Sequence, residues 1–299
     1  MELRAAQRKR FLIVHNPVAG RKRRNLLDQV CAKLTAAGAV VTVEQADSAS
    51  ADRDIAERAR NSRNFDAVVA AGGDSTIRGV ASGLIDGDVP LGVIPTGTGN
   101  VLAQEIGLAH TPGAVADCLL QGEATVIHPG RANHEMFLLM ASLGPDVAIL
   151  NKLDMDWKSR IGKLAYIVPT LRTIAAAPRQ FTAIIDGQSR RCSWLVITKA
   201  AHYGGRFVIA PRQRLTDAGF HALLISATTR ARMISALAAI MCGAGERHPD
   251  VICIPCGQVE VPSQIHLTWQ IDGEPAGASP LHVAMATQRL RLILPTLRT

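Results

Sequence analysis

Apolar positions follow two regimes, which change near residue 128. In the first, short runs without alternation separate stretches of helical spacing. Phe11 to Val14, Val40 to Val43, Asp66 to Ala71 and Leu91 to Ile94 are such runs, rich in Val, Ile and Ala. They read as strands, and the two that stop at glycine-rich turns, Ala67 to Ala71 and Leu91 to Ile94, as strands buried on both faces of a parallel sheet. Arg21 to Ala37 places Leu26, Leu27, Val30 and Leu34 at helical intervals before Gly38. Ser50 to Ser62 predicts a second helix, capped by Ser50 or Asp52. Thr76 to Leu84, Asn100 to Ile106 and Pro112 to Leu120 predict three more. The order βαβαβαβ implies a parallel sheet with helices on both faces.

Beyond residue 128, strand-like segments dominate: Met136 to Ser142, Phe181 to Asp186, Ser193 to Lys199, Phe220 to Ser226, Val259 to Val261, Ile265 to Ile271 and Leu281 to Ala286. Helical spacing returns around Arg160 to Ala176 and over Arg230 to Cys242, the latter read as a core helix. Many strands joined by Gly and Pro turns predict an antiparallel β-sandwich. The expected domains are 1–129, α/β, and 130–286, mostly β.

The 299-residue chain is nearly half apolar, enough for a sizeable core, and carries a net charge of +8. Its longest uncharged apolar stretch, about Met233 to Gly245, falls short of the ~20 residues that span a bilayer. Phe11 to Val14 is too short for the apolar region of a secretory signal, so the expectation is a cytoplasmic protein. Arg4, Arg8, Lys9, Arg10 and Arg21 to Arg24 crowd the N-terminus. This basic face suits an anionic membrane surface or a nucleotide, or it is simply solvated. Aromatics are sparse and do not interleave with it, which argues against nucleic acid. Cys253 and Cys256 form a CxxC near His248, without the second ligand pair a zinc site needs. The six cysteines read as small apolar residues.

Two of the strand runs stop at glycine-rich turns, Gly72-Gly73-Asp74-Ser75-Thr76 and Pro95-Thr96-Gly97-Thr98-Gly99-Asn100. Glycine lets backbone N–H groups approach an anion, and a following helix adds its positive end. Turns at the carboxyl ends of parallel strands are where such sheets bind ligands. The stretch therefore reads as a grip for nucleotide phosphates. It is neither a dinucleotide fingerprint, because Leu102 stands where Gly or Ala is needed, nor a Walker A loop.

Asn16 to Gly20, Gly72 to Thr76, Pro95 to Asn100, Leu215-Thr216-Asp217 and Asp272-Gly273-Glu274 occur in one order. This series resembles the diacylglycerol kinase catalytic-domain family, which includes bacterial soluble diacylglycerol kinases and sphingosine kinases, over about residues 11–290. The resemblance implies a first domain like those of NAD kinase and phosphofructokinase, a β-sandwich second domain, and a chain end, 287–299, that returns to the first. It implies ATP and Mg²⁺ as cofactors. Asn16, Pro17 and Gly20 would form the first nucleotide loop. Gly72, Gly73, Asp74, Ser75, Thr76 and Arg78 would wrap the phosphates, and Gly97, Thr98 and Asn100 would close the second loop. Asp74 would organise magnesium or its waters, or cap a helix. Arg214, Asp217 and Gly219 match a structural magnesium loop. Glu274 would be the general base, with Asp272 orienting its loop or binding metal through water.

Three positions of the first domain depart from the family pattern, and in the magnesium loop Ala218 replaces a Gly. Ser75 replaces a Gly, which would cost roughly 1–2 kcal/mol if that residue needs positive φ. Ala46 replaces a nucleotide-contacting Thr, and His128 replaces an Asp near the site. The reading is an ATP- and Mg²⁺-dependent lipid kinase acting on a diacylglycerol-like membrane substrate, with a homodimer left open. Its rivals are a catalytically weakened nucleotide- or lipid-binding homologue and a soluble-substrate kinase of the NAD kinase type.

Overall fold

The structure, a computed structural model, describes residues 8–17, 24–145, 147, 178–204, 207–263 and 267–296. Two compact units divide the chain: Met1–His128 with Thr287–Thr299, and Pro129–Ala286.

The first unit is built on β1 (Arg10–His15), β2 (Val40–Gln45), β3 (Ala67–Gly72), β4 (Leu91–Pro95), β5 (Glu123–Ile127) and β20 (Leu290–Leu294). Among the described residues they form one sheet in the order β2-β1-β3-β4-β20-β5. All its pairings are parallel except the last, β20 with β5. Every residue of β3 and β4 is buried, as expected for strands covered on both faces. The helices are α1 (Arg24–Ala36), α2 (Ala49–Ser62), α3 (Asp74–Leu84), α4 (Val101–Glu105) and α5 (Pro112–Gln121). The N-cap of α2 is Ser48, whose hydroxyl accepts from Ala51 N–H at 3.3 Å, rather than Ser50 or Asp52. Asp52 instead lies buried in the first turn.

The second unit stacks two antiparallel sheets. One runs β10-β9-β16-β19-β6-β7 and the other β15-β14-β11-β8-β17-β18. In chain order these strands are β6 (Gly130–Ala132), β7 (Glu135–Phe137), β8 (Met140–Leu143), β9 (Phe181–Ile185), β10 (Gln188–Cys192) and β11 (Trp194–Thr198). There follow β14 (Phe220–Ile225), β15 (Val251–Cys256), β16 (Gln258–Val261), β17 (Thr268–Ile271), β18 (Glu274–Ala278) and β19 (Leu281–Met285). Both sheets feed one core that includes Phe137, Leu195, Phe220 and Trp269, with the rings of Phe137 and Phe220 stacked 5.8 Å apart. A small hairpin, β12 (His202–Tyr203) and β13 (Phe207–Val208), stands apart from both sheets.

Two expectations change here. The run from Met136 to Ser142 is not one strand, because β7 and β8 belong to different sheets. Nor is the last helix, α6 (Arg230–Met241), a core helix: only Met233 and Ala236 are buried. The helix expected around Arg160 to Ala176 lies outside the described residues.

Candidate nucleotide and catalytic site

β3 and β4 are parallel neighbours in register to their carboxyl ends, Gly72 opposite Pro95. Both glycine turns therefore leave the sheet side by side. Gly97 N–H donates to Gly72 O at 3.1 Å. A Cβ added to Gly97 would stand 2.4 Å from Gly73 Cα, and one added to Gly72 would stand 2.4 Å from Thr76 Cβ. Contact between the two turns is thus backbone against backbone, and no side chain fits at either position. Gly73 is the N-cap of α3 in extended conformation, so the first N–H groups of that helix, which have no acceptor within it, open at this junction. Thr98 and Gly99 are exposed beside them. Such a donor set suits a phosphate.

Asp74, the first residue of α3, accepts from Val101 N–H and Leu102 N–H, each at 3.0 Å. It therefore caps α4, not its own helix. Burial pushes its carboxyl up, while the N–H groups of Leu102, Val101 and Asn100 pull it back. Both oxygens are thus engaged by backbone N–H groups, so Asp74 is not placed for direct coordination of a metal.

Asn100 is buried with positive φ, and its Nδ2 donates to Pro95 O at 3.2 Å and Gly97 O at 2.8 Å. It braces the second turn from inside and does not reach outward to a ligand. Thr76 is likewise buried, beneath Gly72. Both were expected at the nucleotide, and the geometry gives them supporting parts. Ser75 lies within α3 and is absent from the positive-φ residues, so the expected strain there does not arise. Arg78 is half-buried one turn further along α3. Asn16 N–H donates to Ala71 O at 3.3 Å, tying the end of β1 to the end of β3. Pro17 follows it exposed, and Gly20 lies outside the described residues. Ala46 is buried, and the ring Nδ1 of His128 meets Gln288 O at 3.1 Å as part of a linker.

In the second unit, Asp272-Gly273 forms the two-residue turn between β17 and β18, with φ of 48° and 87°. Two positive φ values in succession are what a type I′ hairpin requires, and Asp-Gly supplies them. Asp272 is buried, and its carboxylate accepts from Leu138 N–H and Leu139 N–H at 2.9 Å and Met140 N–H at 3.0 Å. These three bonds turn the chain between β7 and β8 and so explain why that run crosses between sheets. Asp272 is a positioning residue, and the metal role weighed for it gives way to this one. Gly273 N–H donates to Gln270 Oε1 at 2.7 Å, and Gln270 Nε2 donates to Ser142 Oγ at 2.6 Å. The half-buried Glu274 follows on this braced hairpin.

The expected structural magnesium loop is held differently. Gln213 Nε2 faces Arg214 O at 2.9 Å, Gly219 O at 3.3 Å and Asp217 Oδ2 at 3.4 Å. All three groups assigned to a cation therefore converge on one amide nitrogen. His221 Nδ1 lies 2.7 Å from Gln213 Oε1, an acceptor-only atom, so the ring donates and the amide is fixed in orientation. Lys199 Nζ donates to Asp217 O. Burial pushes Lys199 down to about 8, against the pull of Asp217. The oxygens expected to bind magnesium are engaged by the protein's own donors and do not fit that ion. No cluster of three or more His, Cys, Asp or Glu side chains suited to a metal occurs among the described residues.

The basic N-terminal run is partly consumed by the fold. Arg8 Nη1 donates to Leu119 O and Gly122 O at 3.1 and 2.9 Å, and Arg10 pairs with Asp66 at 2.7 Å. Cys192 and Cys256 are buried, which pushes each thiol up to about 12. No helix of the described residues is long and apolar enough to cross a membrane.

An α/β unit with two abutting glycine turns, followed by a β-sandwich with an Asp-Gly-Glu hairpin, is the combination found in a family of phosphotransferases. The diacylglycerol kinase catalytic domain profile matches residues 10–132, and the YegS C-terminal NAD kinase beta sandwich-like domain profile matches residues 140–294. The chain belongs to the diacylglycerol kinase family and is a kinase. It is similar to a diacylglycerol kinase of Bacillus subtilis (strain 168), 27% identical over 294 residues covering 96% of this chain and 97% of that one. A diacylglycerol kinase of Staphylococcus aureus (strain bovine RF122 / ET3-1) is 25% identical over 301 residues, covering 96% and 93%. The crystal structure of a diacylglycerol kinase from Bacillus anthracis str. Sterne matches with a TM-score of 0.71 at 16% identity, covering 96% of both chains. That likeness is one of fold.

Proposed function

We propose that this kinase transfers the γ-phosphate of ATP to the hydroxyl of a diacylglycerol-like lipid. The observation that carries the reading is the backbone contact of Gly97 with Gly72 and Gly73 at the mouth of α3. In this reading the N–H groups of that junction bind and orient the phosphates, and Thr98 contributes its exposed hydroxyl. Magnesium bound with the nucleotide would supply neutralisation of the phosphate charge there, and Asp74 would hold its waters. Glu274 takes the proton of the lipid hydroxyl. The lipid hydroxyl oxygen forms the new bond to phosphorus, the bond from the γ-phosphorus to the bridging oxygen breaks, and ADP leaves. The protein works in the cytoplasm.

The test supplies labelled ATP, Mg²⁺ and a panel of lipids in mixed micelles to wild type and Glu274→Gln. Loss of a general base lowers kcat by about 10²–10⁴-fold with unfolding unchanged. Equal turnover in the two proteins removes Glu274 from the mechanism. Nucleotide binding with no labelled lipid from wild type would favour the rival binding homologue.

A further inference from the structure

The outer face of one sheet of the second unit carries a cleft that the phosphotransferase mechanism does not use. Phe220, Ala222 and Leu224 of β14 point into the sandwich core, so His221 points to the other face. β15 pairs with β14 so that Pro255 stands opposite His221 and Cys253 opposite Leu223, which puts Cys253 and Pro255 on that same outer face. Together with Val251 these residues line a cleft of about 350 Å³, toward the small end of ligand-sized cavities. Arg212 and Glu246 complete the lining from two separate turns of the chain. Gln213 N–H donates to Ala210 O at 2.9 Å and fixes the turn that carries Arg212. Arg247 N–H and His248 N–H donate to Ala244 O and Gly245 O, each at 3.0 Å, and fix the 3-10 turn that carries Glu246.

Among the described residues, the side chains of Arg212 and Glu246 form no ion pair or hydrogen bond, with each other or with a third group. A cation and an anion therefore share one cleft without closing on each other. His221 Nδ1 donates to Gln213 Oε1 at 2.7 Å, which leaves Nε2 of the neutral ring as an acceptor. Burial holds His221 below its usual value, against the pull of Asp217, so the ring is neutral near pH 7. Burial first, and Glu246 second, push the Cys253 thiol up to about 11, so it is a protonated wall and not a nucleophile. The cleft is thus equipped to bind and not to react. It offers a guanidinium to an anionic group, and a carboxylate with an imidazole acceptor to a cationic N–H donor. An anion alone would meet the repulsion of Glu246, and a cation alone that of Arg212. A ligand carrying both signs gains from both.

We propose that this cleft binds a small zwitterion, with its phosphate or carboxylate on Arg212 and its ammonium on Glu246 and His221 Nε2. The site is independent of the kinase reading, and lipid phosphorylation by the protein has no bearing on it. The experiment is calorimetric titration of the full chain with phosphoethanolamine and with β-alanine, using ethanolamine and inorganic phosphate as single-charge controls. A zwitterion should bind saturably, about tenfold or more tighter than either control. Arg212→Gln and Glu246→Gln should each weaken that binding by about tenfold or more, the scale of one charge-assisted hydrogen bond. Arg247→Gln, at a neighbour outside the cleft, should bind as wild type. All three positions are exposed, so the variants should fold. Bound ligand should also slow maleimide labelling of Cys253, read by peptide mass, and leave that of the exposed Cys242 unchanged.

Glycerophosphoethanolamine, whose phosphate is a diester as in a lipid headgroup, separates the two sources of such a ligand. Binding as tight as that of phosphoethanolamine supports a headgroup in the site, and weaker binding supports a free zwitterion. Absence of saturable binding by both zwitterions at millimolar concentration overturns the proposal. So does equal binding of a single-charge control, which would reduce the cleft to a simple ion site. Binding that survives both Arg212→Gln and Glu246→Gln, with Cys253 labelled at its unliganded rate, places the zwitterion elsewhere and overturns it as well.

Discussion

Asp74 Oδ1 stands 3.0 Å from the backbone nitrogen of Leu102, 28 residues further along the chain. Through this bond and its twin to Val101, the residue that opens α3 holds the N-terminus of α4. The turn after β3 and the turn after β4 therefore move as one body. A carboxylate on a helix N-terminus is stabilised by the positive end of that helix, which offsets part of the cost of its burial.

Asp74→Ala should lower unfolding free energy by about 2 kcal/mol, the range for hydrogen bonds to a charged group. It should also weaken nucleotide binding, because the two turns lose their tie. Asp74→Asn exchanges one acceptor for a donor facing an N–H, so it should fall near Asp74→Ala. Urea unfolding with calorimetric ATP titration measures both effects, and a wild-type-like Asp74→Asn would show that the cap is not needed.

Gly97 makes the same point sterically. A methyl group there would meet Gly73 Cα at 2.4 Å and Asn100 Oδ1 at 2.8 Å, and backbone cannot swing aside as a side chain can. Gly97→Ala should cost about 1–3 kcal/mol and reduce nucleotide affinity at least tenfold. Gly113, in the first turn of α5, has nothing within 4 Å of an added Cβ. Gly113→Ala should stabilise by about 0.5–1 kcal/mol through helix propensity. Thermal unfolding of the pair should move in opposite directions.

Much of this was legible in sequence because the signals were local. Unalternated runs gave β1, β3 and β4, and Asp-Gly marked the turn at 272–273. What stayed hidden depended on partners distant in the chain. Asp74 looked like a metal or cap residue, but nothing in its neighbourhood pointed to Leu102 as its partner. The corner at Leu138 to Met140 is set by Asp272, more than 130 residues away, so the run read as one strand. The cost assigned to Ser75 assumed a left-handed backbone, whereas α3 begins one residue earlier. β5 is partly exposed and takes its place by pairing with β20, which itself pairs with β4 far back in the chain. Gln213 carried no signal, since an amide acting where the resemblance placed a cation is visible only in three dimensions.

That amide leads to a prediction about metal. With Arg214 O, Gly219 O and Asp217 Oδ2 already facing Gln213 Nε2, thermal unfolding of the nucleotide-free protein should be unmoved by EDTA or added Mg²⁺. Gln213→Glu would turn a carboxylate toward three oxygens and should destabilise by about 3 kcal/mol, the scale of an uncompensated buried charge. Divalent cation should restore part of that loss. A saturable rise in wild-type melting temperature with Mg²⁺, abolished by Asp217→Ala, would return the loop to a metal-binding role.

Lys199 makes stability depend on alkaline pH in a direction that can be worked out. Its side chain is buried, and burial lowers the ammonium from 10.5 to about 8. Below about 8 both folded and unfolded chains hold the proton, and the folded state carries the full cost of a buried charge. Between about 8 and 10.5 the unfolded chain binds more protons than the folded one, so unfolding free energy rises with pH. The rise attributable to this group is on the order of 3 kcal/mol, from about 1.4 kcal/mol per pKa unit. Other groups titrate over the same range, so the quantity to measure is the difference between wild type and Lys199→Met in urea unfolding from pH 7 to pH 10.5. That difference should move in favour of wild type as pH rises. A flat difference would mean that Lys199 keeps an ordinary affinity for its proton, and that its contact with Asp217 O compensates fully for its burial.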